Sequence, residues 1–323
     1  MHDLAARGTI PARLVKDIMM ADRVGFVGVG TMGKLMAINL LKRHYQVTAY
    51  DLNPTPVEEL LEFGAEKAAS SAEAAAAGEV VITMLPSSPH VEEAVLGSGG
   101  ILEGMRPGTV LIDMSTIDPL VSKRVAEQVA ARGFQMLDAP VSGGSVGARD
   151  ATLTIMVGGP RDLFDTCKPI LEAMGQNVIH CGENGMGEVV KVVNNLIAGV
   201  SMAVTAEAYN IGLRAGADPK VLYDVISKSS GRCWSHDLNH PIPGVLGSAP
   251  ADRDYEPGFM VDLMRKDLGL AISAAQGVQA PAILAAVAEQ LFGAASSMGF
   301  GRRDMSAVVK ALEALSGPTA GGS

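Results

Sequence analysis

The chain has 323 residues, of which 48% are hydrophobic and 19% are charged. This composition is typical of a globular protein and excludes a disordered one, and the length suggests about two domains. The net charge is −9 and no long basic run is present, so nucleic acid is not an expected partner. Three widely spaced cysteines, Cys167, Cys181 and Cys233, are typical of free thiols in a reducing compartment.

The first 22 residues mix acidic and basic side chains and contain no secretory signal pattern. We predict that residues 1–22 form an N-terminal extension without fixed structure. A weak targeting peptide and a true start at Met19 or Met20 both remain open. The expected location is the cytoplasm, or the mitochondrial matrix if the source is eukaryotic.

A strand signal at Val24–Val27 leads directly into Gly28-Val29-Gly30-Thr31-Met32-Gly33, followed by a helical pattern. A second strand, Gln46–Tyr50, ends at Asp51. Strand, glycine motif, helix, strand and acid in this order form the fingerprint of a dinucleotide-binding unit. The alternative is a glycine-rich turn that serves packing only.

Each residue of the fingerprint has its own physical reason. Gly28 allows a tight turn, Gly30 lets the backbone approach a pyrophosphate at the helix N-terminus, and Gly33 lets the helix pack close to the strand. Asp51 is placed to accept hydrogen bonds from a ribose diol and would repel a 2′-phosphate. No Lys or Arg follows until Lys67, so the sequence favours NAD over NADP.

Helices and strands continue to alternate up to residue 182. Helices are predicted at 57–63, 72–77, 91–96, 119–132 and 160–173, and strands at 79–85, 109–114, 134–137, 152–157 and 177–180. Ligands of parallel sheets bind beyond the carboxyl ends of the strands. We therefore expect Leu85-Pro86, Ser115-Thr116 and Asp138-Ala139-Pro140 to line a crevice, although each is also compatible with an ordinary loop.

The glycine- and serine-rich segment Asp138–Ala148 is predicted to be a loop between strands. Its free backbone N–H groups could hold a carboxylate with help from Ser142. A flexible linker is the competing interpretation.

After a turn at Gly182–Gly187 the strand signals end. Helices are predicted at 188–214, 218–228, 260–276, 281–298 and 304–315, with Asp218-Pro219 as a helix start. The uncharged run Leu268–Ala288 is long enough to suggest a membrane span, but Pro281 favours two buried helical pieces. We predict an α/β domain at 23–182, a helical domain at 183–316, a flexible tail at 317–323 and no membrane association.

Lys191 and Asn195 share one face of the first of these helices, among many apolar residues. Such surroundings disfavour the charged lysine, so its pKa can fall into the range that proton transfer needs. The competing interpretation is a lysine that extends its ammonium group to water. The spacing Cys233-x-x-His236-x-x-x-His240 resembles part of a zinc site, but no fourth ligand is nearby and Pro241 and Pro243 favour a loop, so we expect no metal.

Four blocks make the chain resemble the β-hydroxyacid dehydrogenases from about residue 23 to 315. They are Gly25–Gly33 with Met36-Ala37-x-Asn39-Leu40, Asp138–Gly144 with Gly147-Ala148 and Thr152–Gly159, Gly187-x-x-x-Lys191-x-x-Asn194-Asn195, and Lys266-Asp267-Leu268-x-Leu270-Ala271. Ser229–Ser235 and Pro241–Gly244 look like the hydroxyisobutyrate branch of the family.

The resemblance implies an N-terminal Rossmann domain, an all-helical C-terminal domain and a homodimer or homotetramer. It implies that Lys191 is the general acid/base, that Asn195 holds the substrate, and that Ser142, Gly143 and Gly144 bind the substrate carboxylate. Contacts to NAD fall to the glycine motif and to Leu85, Pro86, Thr116 and Lys266, with His90 nearby. His90 and Val29 depart from the family pattern, where asparagine and leucine are usual.

The implied reaction is the NAD-dependent oxidation of 3-hydroxyisobutyrate, a small β-hydroxy acid, to methylmalonate semialdehyde in valine breakdown. Alternatives within the family are tartronate, glyoxylate or succinic semialdehyde reductases and serine or 3-hydroxypropionate dehydrogenases. A phosphogluconate dehydrogenase would need a basic cluster that the sequence lacks. The alternative from another class is a non-catalytic NAD-binding scaffold, which the presence of Lys191 disfavours.

Overall fold

The structure is a computed structural model that describes residues 22–317. The predicted N-terminal extension and C-terminal tail therefore lie almost wholly outside the described residues. The chain divides into two compact units, one ending at Lys191 and the other beginning at Val192. The division falls inside a long helix, Met186–Arg214, and the domain boundary at residue 182 stays a prediction.

The first unit is built on one sheet. Its strands, in chain order, are β1 Arg23–Val27, β2 Gln46–Tyr50, β3 Glu66–Lys67, β4 Val80–Thr83, β5 Val110–Asp113, β6 Gln135–Asp138, β7 Val141–Ser142, β8 Leu153–Gly158 and β9 Gly175–Gly182. The spatial order is β3-β2-β1-β4-β5-β6-β8-β7, with β9 also paired to β8. The first six strands in this spatial order, from β3 through β1 to β6, run parallel to one another. Strand β8 is antiparallel to both β6 and β7.

Helices connect these strands. They are α1 Thr31–Lys42, α2 Pro54–Leu61, α3 Ser71–Ala77, α4 Ser88–Leu96, α5 Ile101–Gly104, α6 Pro119–Ala131, α7 Gly144–Asp150 and α8 Arg161–Glu172. Asn53, Ser70 and Asp118 each accept a hydrogen bond from a first-turn N–H group and so cap α2, α3 and α6. Central strands such as β4 are buried along their whole length, which is why they are short apolar runs instead of alternating patterns.

The register brings the carboxyl ends of the parallel strands to one edge. Val27 is paired with Tyr50 and with Thr83, Thr83 is paired with Asp113, and Asp113 is paired with Asp138. The chain leaves β1 toward β2 and β3, then returns to place β4 on the other side of β1. This reversal of direction is the switch point at which open α/β sheets bind nucleotides.

The second unit is helical over the residues that the structure describes. Its helices are α9 Met186–Arg214 (which begins in the first unit), α10 Pro219–Ile226, α11 Trp234–Asp237, α12 Val261–Gly277, α13 Ile283–Ala295 and α14 Val309–Leu315. Short helical turns lie at Pro250–Arg253, Ser296–Phe300 and Met305–Val308. Its core contains Met202 and Tyr209 of α9, Leu268 of α12 and Phe292 of α13.

Two stretches of this part of the chain are long and apolar enough to cross a membrane by length and composition, Met186–Arg214 and Ile283–Phe300. Both contribute side chains to the core of the helical unit, including Met202 and Phe292. We interpret them as core helices whose outer faces are also apolar. The predicted break at Pro281 is confirmed, because α12 ends at Gly277 and α13 begins at Ile283.

Two predictions about local structure are wrong. Asp138–Ala148 is not one loop: Val141–Ser142 is a strand and Gly144–Asp150 is helix α7. Glycine and serine gave this segment a weak helical pattern in the sequence. The helix nevertheless forms, with Gly147 and Ala148 buried by packing. The helix predicted at 281–298 ends earlier, at Ala295, and continues as an irregular turn in which Gly299 has φ 94°.

Candidate active site

The turn after β1 is held by close backbone contacts. Gly28 has φ 89° and its N–H donates to the carbonyl of Tyr50 at 2.9 Å. A Cβ at Gly28 would lie 2.5 Å from the Met84 carbonyl oxygen, and a Cβ at Gly33 would lie 2.0 Å from the Gly28 carbonyl oxygen. Both positions are therefore restricted to glycine by the protein itself.

Gly30 is different, because a Cβ there would meet no protein atom within 4 Å. Gly30 is the N-cap of α1, and no side chain provides a capping hydrogen bond to that helix. The first N–H groups of a helix lack intrahelical acceptors and favour an anion. The open space and the uncapped N-terminus together fit the pyrophosphate of a dinucleotide.

Asp51 follows β2 and is half-buried. Its Oδ2 accepts from the Val29 N–H at 2.8 Å, and its Oδ1 accepts from the Asn53 N–H at 2.8 Å. Asp51 therefore joins the end of β2 to the glycine turn, a role that its sequence position did not reveal. Each carboxylate oxygen keeps a further acceptor site, so the side chain can still receive a ribose hydroxyl.

The ends of β4 and β5 are joined by a buried polar network. Asp113 Oδ1 accepts from the Thr83 hydroxyl at 2.7 Å and from the Ser115 N–H at 3.1 Å, while the Ser115 hydroxyl accepts from the Leu85 N–H at 2.8 Å. Burial raises the pKa of Asp113, and the hydrogen bonds from Ser115 and Thr83 act against that rise. The network fixes the backbone of Leu85 beside the segment that carries Thr116.

Ser142 and the two glycines that follow it connect β7 to α7. Gly143 and Gly144 have φ 134° and 61°, and Ser142 and Gly144 are half-buried. Asn39 of α1 donates its amide N–H to the carbonyl of Ala148 at 2.6 Å. This bond joins the helix behind the nucleotide turn to the helix that follows Ser142, a role that the sequence did not indicate.

Lys191 lies in the second turn of α9, and only 5% of its surface is exposed. Asn195 lies one turn later on the same helix and is buried to the same extent. The fold does not leave this lysine on a solvated face, so the interpretation as a surface lysine is wrong.

The amide of Asn195 is held at both ends. Its Oδ1 accepts from the Asn194 side chain at 3.0 Å, and its Nδ2 donates to Asp267 Oδ2 at 2.5 Å. Asp267 is buried, and its other oxygen lies 3.2 Å from the Lys266 ammonium. In the sequence, Asp267 stands out only as a member of a block shared with the family. Its position directly after Lys266 was the one signal that could have pointed to a role in the site.

The remaining predicted residues lie in less enclosed positions. Pro86 is exposed between β4 and α4. His90 is exposed in the first turn of α4, where its Nδ1 lies 2.7 Å from the Ser87 hydroxyl. Lys266 belongs to the helical unit, whereas the glycine motif, Asp51, Leu85, Thr116 and Ser142 belong to the sheet unit. Among the described residues no group of three His, Cys, Asp or Glu side chains could hold a metal ion.

Comparisons with known proteins find matches for both parts of the chain. Residues 23–182 match the NAD-binding domain of 6-phosphogluconate dehydrogenase, and residues 185–312 match the domain described as the NAD-binding domain of NADP-dependent 3-hydroxyisobutyrate dehydrogenase. Mouse mitochondrial 3-hydroxyisobutyrate dehydrogenase is 43% identical over 305 residues, which are 94% of this chain and 91% of the mouse chain.

Two further relatives bear on the substrate. The NAD-dependent L-serine dehydrogenase of Pseudomonas aeruginosa is 42% identical over 91% of this chain and 99% of its own. The structure of Mycobacterium tuberculosis 3-hydroxyisobutyrate dehydrogenase with L-serine superposes with a TM-score of 0.86 at 37% identity, over 91% of this chain and 99% of that one.

The chain belongs to the β-hydroxyacid dehydrogenase family. It is an NAD-binding oxidoreductase with an N-terminal Rossmann domain and a helical C-terminal domain, as the sequence predicted. A non-catalytic scaffold is therefore not supported.

Proposed function

We propose that the protein oxidises 3-hydroxyisobutyrate to methylmalonate semialdehyde with NAD, as one step of valine breakdown. The observation that carries the proposal is Lys191, buried on α9 one turn before Asn195. The mouse relative named for this activity supports the choice of substrate. Lys191 is the general acid/base, and Asn195 holds the substrate.

Burial gives Lys191 its chemistry. A lysine removed from water loses much of the hydration that favours its ammonium form, and a general base must be a neutral amine to accept a proton. When bound, NAD supplies the ring that accepts the hydride from the alcohol carbon. Lys191 removes the hydroxyl proton, and the alcohol becomes an aldehyde as the C–H bond breaks.

The other residues bind and orient. Ser142, Gly143 and Gly144 hold the substrate carboxylate through a hydroxyl and backbone N–H groups. The glycine motif holds the pyrophosphate, and Leu85, Pro86, His90, Thr116 and Lys266 contact the rest of NAD. Asn195, whose amide is fixed by Asn194 and Asp267, holds the substrate.

We propose NAD as the preferred dinucleotide, in spite of the reference to NADP in the description of one matched domain. Asp51 stands at the position that faces the ribose in this fold, and a 2′-phosphate there would bring two negative groups together. Residues 52–66, which follow Asp51 in the sequence, include no lysine or arginine.

The test is replacement of Lys191. We expect Lys191→Ala to lower kcat by about 1,000-fold or more, because it removes the group proposed to take the proton. Lys191→Arg is the matched control for charge: it keeps the cation but cannot lose its proton near neutral pH, so it should be equally inactive. NAD affinity of both variants, measured by fluorescence titration, should stay within about threefold of the wild type. A kcat near the wild-type value for Lys191→Ala would remove the proposed role.

L-serine is the second candidate substrate, favoured by the relative named L-serine dehydrogenase. It differs from 3-hydroxyisobutyrate by an ammonium group in place of a methyl group. Comparison of kcat/KM for both compounds, 3-hydroxypropionate and glycerate, each with NAD and NADP, decides between them. A higher kcat/KM for L-serine would replace the proposed substrate.

We propose further that residues 23–182 bind the nucleotide and that residues 183–316 contribute to substrate binding and to a homodimer or homotetramer. The mouse relative is mitochondrial. The cysteines at 167, 181 and 233 are free thiols in the structure, which suits a reducing compartment such as the cytoplasm or the mitochondrial matrix.

A further inference from the structure

Asp138 is the last residue of β6, and it is fully buried. Its Oδ1 accepts from the Gly185 N–H at 2.7 Å, and its Oδ2 accepts from the Glu188 N–H at 3.2 Å. Both donors belong to the start of α9, where the first N–H groups have no acceptor within the helix. A carboxylate at the end of a strand therefore caps the helix that carries Lys191.

Two glycines leave room for this carboxylate. A Cβ at Gly158 of β8 would lie 2.6 Å from both Asp138 oxygens. A Cβ at Gly187 would lie 2.8 Å from Asp138 Oδ2 and 2.4 Å from the Met156 carbonyl oxygen. The carboxylate has no space in which to turn, so the position of Asp138 determines where α9 begins.

Two more bonds hold the same turn against the sheet. The Asn184 side chain donates to the carbonyl of Met136 in β6 at 2.8 Å, and Glu188 Oε1 accepts from the Ile117 N–H at 3.2 Å. Lys191 follows Glu188 by three residues, which is less than one helical turn. Because hydrogen-bonded helix is stiff over one turn, the placement of this turn sets the direction of the lysine side chain.

We propose that Asp138 is a positioning residue for Lys191: it fixes the first turn of α9 at the carboxyl end of β6 and so aims the lysine amine at the reacting hydroxyl. The proposal rests on the proposed role of Lys191. Asp138 does not itself touch the substrate. Burial raises the pKa of its carboxyl group, and the N–H groups of Gly185 and Glu188 oppose that rise.

Asp138→Asn is the sharpest test, because it keeps the shape but replaces one acceptor oxygen with an N–H donor. That donor faces the N–H of either Gly185 or Glu188, so the first turn of α9 must shift. We expect kcat to fall about 30- to 100-fold, the cost of roughly 1 Å of misplacement. The solvent deuterium isotope effect on kcat should increase, because proton transfer becomes slower, and NAD affinity should stay within about threefold.

Asp218→Asn is the matched control. Asp218 caps α10 and accepts from the N–H groups of Lys220 and Val221, but α10 carries none of the proposed site residues. It should lose a little stability and keep the wild-type kcat and isotope effect. If the role of Asp138 is merely structural, Asp138→Asn should also keep the wild-type kcat and isotope effect, measured per folded molecule. That result would overturn the proposal.

If Asp138→Asn does not fold, hydrogen exchange of the wild-type protein decides the question. Strong protection of the Gly185 and Glu188 amides supports the cap, and exchange at the rate of exposed amides overturns it. The Lys191 variants distinguish this proposal from the proposed function. An active Lys191→Ala enzyme removes the function, whereas an inactive one beside a fully active Asp138→Asn enzyme removes only the positioning role.

Discussion

His240 lies fully buried in the helical unit, with the ring of Tyr209 edge-on at 4.3 Å between centroids. Its Nδ1 accepts from the Ile242 N–H at 3.1 Å, and its Nε2 finds no hydrogen-bond partner among the described residues. Burial lowers the pKa of His240 from 6.5 to about 4. The folded protein thus keeps this histidine neutral at pH values where the unfolded chain would protonate it.

A pH-dependent stability follows from that difference. Since the folded pKa is the lower one, the contribution is present above pH 6.5 and is lost as the pH falls toward about 4. His240→Asn should keep an acceptor for the Ile242 N–H. The difference in its unfolding free energy between pH 7 and pH 4.5, measured by urea unfolding, should be about 2 kcal/mol smaller than in the wild type. His44→Asn, at an exposed histidine, should behave as the wild type. Equal pH dependence in all three proteins would contradict the assignment.

At the scale of the element, the turn between β1 and α1 separates two kinds of glycine. Gly33 is restricted by the Gly28 carbonyl oxygen, whereas Gly30 borders open space and has φ −62°, a value that any residue adopts. The same glycine motif therefore contains one position needed for folding and one that we assign to ligand binding.

Gly30→Ala and Gly33→Ala should therefore fail in different ways. Gly30→Ala should fold with wild-type stability and bind NAD about 100-fold more weakly, or about 2.7 kcal/mol, because its methyl group takes the space of the pyrophosphate. Gly33→Ala should lose about 3 kcal/mol of unfolding free energy or more in the absence of NAD. Thermal unfolding and fluorescence titration measure both effects. Tight NAD binding by Gly30→Ala would place the pyrophosphate elsewhere.

Elements with strong periodicity or clear caps could be predicted from the sequence. β2 was predicted at its observed bounds, and α6 was predicted within one residue. Helix α7 was missed because glycine and serine are weak helix formers, and packing of Gly147 and Ala148 outweighs that preference. Local sequence patterns indicate helix and strand propensity. They do not show which residues the fold buries, and burial decides such cases.

The candidate site shows the same limit. Lys191, Asn195 and Asp51 could be named from spacing and family resemblance. The carboxylates that support them, Asp138 and Asp267, could not be given roles, because their partners are 47 and 72 residues away in sequence. Contacts of that separation depend on strand register and helix packing, which the sequence alone did not provide.

At the scale of the whole molecule, α9 presents an apolar stripe to solvent. It consists of Val193, Ile197, Val204 and Ile211, which are 52%, 61%, 54% and 63% exposed. Spacings of four and seven residues place them along one side of the helix, opposite core residues such as Met202 and Tyr209. A second copy of the chain, presenting the same stripe, is the occupant that the proposed homo-oligomer requires.

The stripe gives the oligomer a direct test. Ile197→Glu places a charge at its centre, where burial against a partner would cost several kcal/mol, so the variant should dissociate at micromolar concentration. Light scattering after size exclusion measures the mass. Leu120→Glu, at an apolar residue 54% exposed in the first turn of α6, is the matched control and should keep the wild-type mass. If Ile197→Glu keeps that mass too, the subunits associate through another surface, and a monomeric wild type would exclude association altogether.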